Sequence, residues 1–255
     1  KLQKSLSKKF INMSKLILTS ILLAIISINI QAQNVVQTAD YQYSIDLNKV
    51  KNDELEVNLI TPKITQKEIV FNIPKTVPGT YSNDDYGRYI SNFKAFDKKG
   101  KKLKVNKQSV NTYKIAKANK LYKISYNVDD SWDSPEITGG HIFEPAGTSI
   151  QKDTCYAINT HGFFGYFTDM KAVNYIVSFK KPAGFYGATS MEAIKTDDSE
   201  DQFSTPNYQT LVDAPILYSK PDTTILNMGG AQILVALVSH TKKATSKEIA
   251  DNLKT

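Results

Sequence analysis

Leu121-Tyr122-Lys123-Ile124-Ser125-Tyr126-Asn127-Val128 is the stretch that decides the fold class. Tyr122, Ile124, Tyr126 and Val128 occupy every second position and share one apolar face; Lys123, Ser125 and Asn127 point the other way, with Leu121 at the end of that polar face. A period of two is that of a half-buried strand. The same alternation appears on the N-terminal side in Tyr41–Leu47 and Leu55–Leu59, and Ile69–Ile73 gives a third strand ended by Pro74. Pro78-Gly79-Thr80-Tyr81 is a turn, with Pro fixing φ and Gly supplying φ > 0. Tyr89–Phe96 is strand-like, Asp97-Lys98-Lys99-Gly100 turns the chain, and strands are predicted over Leu103–Val105 and Val110–Ile115.

Beyond Val128 the pattern loosens. Asp129, Asp130, Asp133, Pro135, Gly139, Gly140, Pro145 and Gly147 mark loops. Strands resume at Tyr175–Phe179 and are predicted over Tyr208–Val212, Thr224–Leu226 and Ile233–Val238; Asp197–Asp201 is predicted to be a solvated acidic loop. Only the end is helical in pattern. Thr245 is an N-cap with Glu248 at the capping-box spacing, and Ile249, Ala250 and Leu253 are expected on the buried side. The predicted fold is all-β, an antiparallel β-sandwich or saddle of sheets with the start of a helix at the C-terminus.

The composition is 41% hydrophobic and 22% charged over 255 residues, which excludes collagenous, coiled-coil and wholly disordered chains. One cysteine, Cys155, excludes an internal disulfide framework and a Cys-rich zinc module. The net charge of +7 is mostly a property of the leader: the first 33 residues carry five lysines and no acid, leaving 27 basic against 25 acidic residues. Arg88 is the one arginine, which argues against nucleic-acid recognition.

Met13-Ser14-Lys15, the apolar run Leu16–Ile30 and the small residue Ala32 form a secretory signal peptide, with cleavage expected after Ala32. The run is short for a membrane span, so no stable membrane anchor is expected after cleavage, and the product is expected in the periplasm or outside the cell; an uncleaved N-terminal anchor is the alternative. The expected organisation is an upstream extension over 1–12, a signal peptide over 13–32, a β domain over 33–243 and the start of a further domain over 244–255.

Three histidines, His141, His161 and His240, offer no zinc motif, since none is followed by Glu. His141-Ile142-Phe143-Glu144-Pro145 approaches an inverted zinc motif, but Pro145 stands where the second His belongs. Cys155 lies in a strand-like context and reads as a small buried residue. Asp129, Asp130, Asp133 and Glu136 lack the twelve-residue calcium-loop pattern and read as a solvated acidic loop. The densest aromatic cluster is His161-Gly162-Phe163-Phe164-Gly165-Tyr166-Phe167. It reads either as core packed around a glycine-permitted bend or as a surface against another domain or a ligand.

Several segments together resemble the N-terminal domain of the glycyl aminopeptidases, the zinc metallopeptidases of family M-61. They are Pro74 with Val77-Pro78-Gly79-Thr80-Tyr81, Ile90–Gly100, Tyr122–Val128, Leu211-Val212-Asp213-Ala214-Pro215-Ile216, and Gly229-Gly230 before a strand. The resemblance covers about Tyr41 to Lys254. It implies a β-rich domain followed by a zinc-bearing catalytic domain and a PDZ-like domain, which are the expected partners along with a peptide substrate. Zinc is expected in that missing catalytic domain, not in this segment, and no catalytic or metal residue transfers to it. The implied chemistry is removal of N-terminal Gly- or Ala-type residues from peptides, with this segment as scaffold and cleft wall. Asn159 and His161 are the candidate cleft residues, a polar pair beside four aromatics; a cleft role predicts that Phe163, Phe164 or Phe167 is exposed. A self-contained secreted binding or adhesion module is the alternative.

Overall fold

The computed structural model describes residues 37–77, 79–80, 82–133, 142–239, 241 and 243–254. The extension 1–12, the leader 13–32, Pro78, Tyr81, Glu136, Gly139, Gly140, His141, the side chain of Glu144, His240 and Thr255 lie outside them. Residues 37–255 form a compact unit with its own core. Its strands are β1 (Tyr41–Asp46), β2 (Glu54–Ile60), β3 (Glu68–Asn72), β4 (Ile90–Asp97), β5 (Val105–Lys107), β6 (Thr112–Ala116), β7 (Leu121–Asp129), β8 (Ser149–Gln151) and β9 (Cys155–Ile158). They continue with β10 (Tyr166–Phe167), β11 (Tyr175–Lys180), β12 (Tyr186–Ala188), β13 (Glu192–Thr196), β14 (Glu200–Thr205), β15 (Ile216–Ser219), β16 (Asp222–Met228) and β17 (Ala231–Leu237). Among the described residues three short α-helices punctuate them: α1 (Thr160–Phe163), α2 (Tyr208–Val212) and α3 (Ser246–Asn252).

A seven-stranded sheet in the order β13-β14-β11-β1-β2-β7-β4 organises the unit. Its pairs are antiparallel except β1 and β11, which run parallel with Tyr41 beside Tyr175. The alternation seen in sequence lines up in register. Tyr43, Leu59 and Ile124 form one row across three strands, and Ile45, Val57 and Tyr126 form the next. All six side chains are buried. The opposite face carries the row Ser44, Asn58 and Ser125. Two four-stranded sheets, β10-β3-β6-β5 and β12-β15-β9-β8, cover the apolar face. Ring contacts join the layers: Phe71 meets Tyr126 at 6.1 Å between centroids, and Phe179 meets Tyr218 at 5.2 Å. Each fully buried aromatic of this kind contributes about 1.5–3 kcal/mol of transfer free energy.

The all-β expectation holds, and the turn after β4 forms as its sequence demands. Asp97 Oδ1 accepts from the amides of Lys99 and Lys101, both at 2.9 Å, and Gly100 adopts φ +78°. The C-terminal helix carries its capping box, with Thr245 N donating to Glu248 Oε2 at 2.8 Å and Glu248 N to Thr245 Oγ1 at 3.2 Å.

Five local expectations are corrected. Tyr208–Val212 is helix α2, not a strand. Asn207 Oδ1 accepts from Thr210 N at 2.9 Å, and Tyr208 and Leu211 bury one face at helical spacing. Asp201 does not belong to a solvated loop: it is buried in β14, ion-paired to Lys181 at 2.7 Å and bonded by the Tyr218 hydroxyl at 3.0 Å. Asp130 is likewise buried, accepting from the amides of Trp132 and Ile150. Leu121 joins the core while Tyr122 is half-buried, because the β4–β7 register shifts between Phe96 and Asp97. Leu253 is exposed, and Ser246 takes the buried side of α3 with Ala250 because its hydroxyl meets Thr224 of β16 at 2.7 Å. No helix among the described residues is long and apolar enough to cross a membrane.

Candidate functional site

The segment from Asn159 to Phe167 leaves β9, makes the single turn α1 and enters β10. Asn159 is the N-cap residue of α1, with extended backbone, but its side chain does not cap the helix. Its amide instead donates outward to the carbonyls of Pro145 at 3.0 Å and Gly147 at 2.5 Å. His161, one helical step on, is buried, and its Nε2 lies 2.9 Å from the Ala146 carbonyl. A carbonyl only accepts, so Nε2 carries the hydrogen. Asn159 and His161 thus hold three successive carbonyls of one loop. Thr160 lies between them and ties the bend to another segment, donating from Oγ1 to the Leu211 carbonyl at 2.6 Å.

His161 stacks edge-on against Tyr86, 4.5 Å between centroids, and the Tyr86 hydroxyl donates to Asp84 at 3.2 Å. Burial pushes the imidazole below its ordinary value, against the opposing pull of the Ala146 carbonyl and the Asp84 charge. Neutral His161 is the resting form, suited to positioning rather than to carrying charge. Cys155, half-buried in β9, has its thiol pushed up by burial and is not activated as a nucleophile.

The aromatic part of the segment turns inward. Phe163, Phe164 and Phe167 are all fully buried, which corrects the expectation that one of them is exposed; they form no apolar patch facing a cleft. The cause is the backbone. The bend is irregular and buried, and its carbonyls need donors. Tyr126, Tyr208 and Tyr43 supply them, with their hydroxyls on the carbonyls of Phe163 (2.5 Å), Phe164 (2.7 Å) and Gly165 (2.7 Å). The Phe167 amide donates to the Tyr41 hydroxyl at 2.8 Å. Gly165 fits because a Cβ there would stand 2.5 Å from both the Asn72 carbonyl and the Phe71 ring.

The surface beside Asn159 is a shallow, mostly apolar recess of about 330 Å³, lined by Trp132, Pro145, Ala157, Ile158, Ala188, Pro215, Ile216 and Leu217 with Asn159 at its rim. The structure therefore joins Asn159 to Pro215 and Ile216 of the Leu211–Ile216 segment. Trp132 and Pro145 come from loops whose sequence carries no periodic signal; only their Pro and Asp punctuation marks them. Among the described residues, no group of three or more His, Cys, Asp or Glu side chains converges as metal ligands would.

Against solved structures, the chain is similar to an aminopeptidase N family protein from Idiomarina loihiensis, with a TM-score of 0.72 and 19% identity. The match covers 84% of this chain and 35% of that one, so the chain spans about a third of that relative's length. A weaker likeness, TM-score 0.38 and 11% identity over 87% of this chain and 53% of the other, links it to an M1 zinc metallopeptidase from Deinococcus radiodurans. No curated protein matches the sequence. The model of the Peptidase M61 N-terminal domain matches residues 42–220, which run from β1 through β15 and include the bend, the recess and all three larger sheets. The chain belongs to the Peptidase M61 N-terminal domain family.

Proposed function

We propose that this chain is the N-terminal domain of an exported zinc metallo-aminopeptidase, and that it forms one wall of the cleft receiving the N-terminal Gly- or Ala-type residue of a peptide. The family match over residues 42–220 carries the reading. The aminopeptidase N family relative, much longer than the part this chain covers, supports a partner domain that does the chemistry. Among the described residues no side-chain group fits a zinc site, and the family reading assigns the metal to the catalytic domain. What the segment contributes is a rigid edge. Asn159 and His161 lock the loop at Pro145–Gly147, and the apolar recess beside Asn159 offers a small, concave contact for a short side chain or a packed partner.

The purified 255-residue chain is expected to hold no stoichiometric zinc after dialysis and to leave Gly- and Ala-anilides intact. The parent enzyme, expressed with its catalytic domain, is expected to hydrolyse them. In that enzyme Asn159→Ala should raise KM or lower kcat at least several-fold, with a small change in melting temperature. Unchanged turnover would make Asn159 purely structural. Chelator-sensitive activity of the 255-residue chain itself would overturn the scaffold reading.

A further inference from the structure

Between Lys94 and Lys123 the sequence carries eleven lysines and a single acid, Asp97, while the rest of the chain after residue 33 carries eight more acids than bases. The fold gathers most of these lysines at one end of the seven-stranded sheet. Lys98, Lys99, Lys101 and Lys102 make the turn after β4, and Lys102 bridges back to Phe96, which pairs with Lys123. Lys117 and Lys120 flank the next turn at the same end, where the Ala118 amide bonds the Lys67 carbonyl at 2.9 Å and the Ala116 amide bonds the Lys104 carbonyl at 3.0 Å. The six turn lysines are exposed, and none of them forms a salt bridge among the described residues. Asp97, the one acid of the segment, is turned to the amides of its own turn, and Glu68, which the fold brings beside Ala116, is ion-paired to Lys114 at 2.8 Å.

We propose that this lysine end docks the domain on an anionic membrane surface. Two observations select that partner. The charges are lysines, compact hydrated cations without the planar fork that reads phosphate or base geometry. They sit on convex turns, and the exposed aromatics of the described residues, Trp132, Phe143 and Tyr186, all lie outside this segment, so no stacking platform for nucleic-acid bases exists here. A cluster of lysines gains from anionic headgroups at a bilayer surface, and the attraction is peripheral and salt-sensitive.

The test uses residues 37–255 with vesicles of phosphatidylcholine alone or with about one third phosphatidylglycerol, a composition in the range where polybasic surfaces bind. Sedimentation should show binding to the anionic vesicles only, lost in about 0.5 M salt as the Debye length shrinks. The quadruple reversal Lys98→Glu, Lys101→Glu, Lys102→Glu and Lys117→Glu should weaken it at least tenfold. A control reversal of Lys49, Lys51 and Lys152, at the opposite end of the sheet, should change it less than about twofold; circular dichroism checks that both variants fold. Binding to neither vesicle, equal binding to both, equal loss in the control, or tighter capture by single-stranded DNA than by anionic vesicles would each overturn the proposal.

Discussion

The bend Asn159–Phe167 and the ribbon Asp222–Leu237 are both short, apolar-rich segments, yet one is sealed in the core and the other stands largely at the surface. Their backbones explain the difference. In the ribbon, β16 and β17 pair residue by residue from Asp222–Leu237 to Met228–Ala231, so its ladder satisfies itself. Only Leu226 is buried, on the face where α3 docks, while Ile225, Met228 and Leu234 remain exposed. Between β9 and β10 the bend has no strand ladder. Its carbonyls at Phe163, Phe164 and Gly165 import hydroxyl donors from β7, α2 and β1. A buried irregular backbone must be tied to many distant elements; a regular one needs only its partner strand.

The contrast is sharpest at Phe164, which is fully buried and meets Tyr43 at 4.7 Å and Phe179 at 6.5 Å between centroids. Phe164→Ala should cost about 3–5 kcal/mol in urea unfolding. A cost under about 1 kcal/mol would mean that the bend is not part of the cooperative core. Next in size is Tyr126→Phe, which keeps the ring and strands the Phe163 carbonyl. It should cost about 1–3 kcal/mol, and combining it with Tyr208→Phe, on the adjacent carbonyl, should depart from additivity.

A smaller, pH-dependent effect belongs to His161, whose folded-state value lies below its unfolded one of about 6.5. Below that pH the unfolded chain binds the proton first, so the contribution of neutral His161 is present above it and is lost as pH falls towards the folded-state value. Denaturant melts at pH 7.5 and at pH 5.5 should show this loss in the parent chain and less of it in His161→Gln. An equal slope in both would remove His161 from the account. The smallest effect is expected in the ribbon. Ile225→Thr and Leu234→Thr should each change stability by within about 0.5 kcal/mol, whereas Leu226→Ala, under α3, should cost about 2 kcal/mol or more. Large losses at Ile225 or Leu234 would erase the distinction between the two regions.

Much of the β structure was legible because its strands are half-buried and advertise a period of two: β1, β2, β3 and β11 follow their alternation closely, while β4 and β7 depart from it where their register shifts. The helix cap at Thr245 was equally plain, since a capping box is a local device. Segments whose burial is set by neighbours were not. Tyr208–Val212 has the β-branched and aromatic content of a strand, and only the Asn207 cap decides otherwise. Asp201 looks like part of an acidic run until Lys181 and Tyr218 surround it. At the candidate site the pair Asn159 and His161 stood out in sequence, but the recess that Asn159 lines is made with Trp132, Pro145 and Pro215, residues far apart along the chain.

The sequence by itself determined the all-β class, the in-out alternation of the central strands, the turn at Asp97–Gly100 and the start of the last helix, because each depends on residues within a few positions of one another. Tertiary structure alone decided which way the aromatics of the bend face and where the lysines of residues 94–123 gather. Both depend on which distant segments come to lie beside them: tyrosines from β1, β7 and α2 in one case, the shared end of several strands in the other. Hydrogen-bond demand and charge are properties of residues, but their satisfaction is a property of neighbours in space.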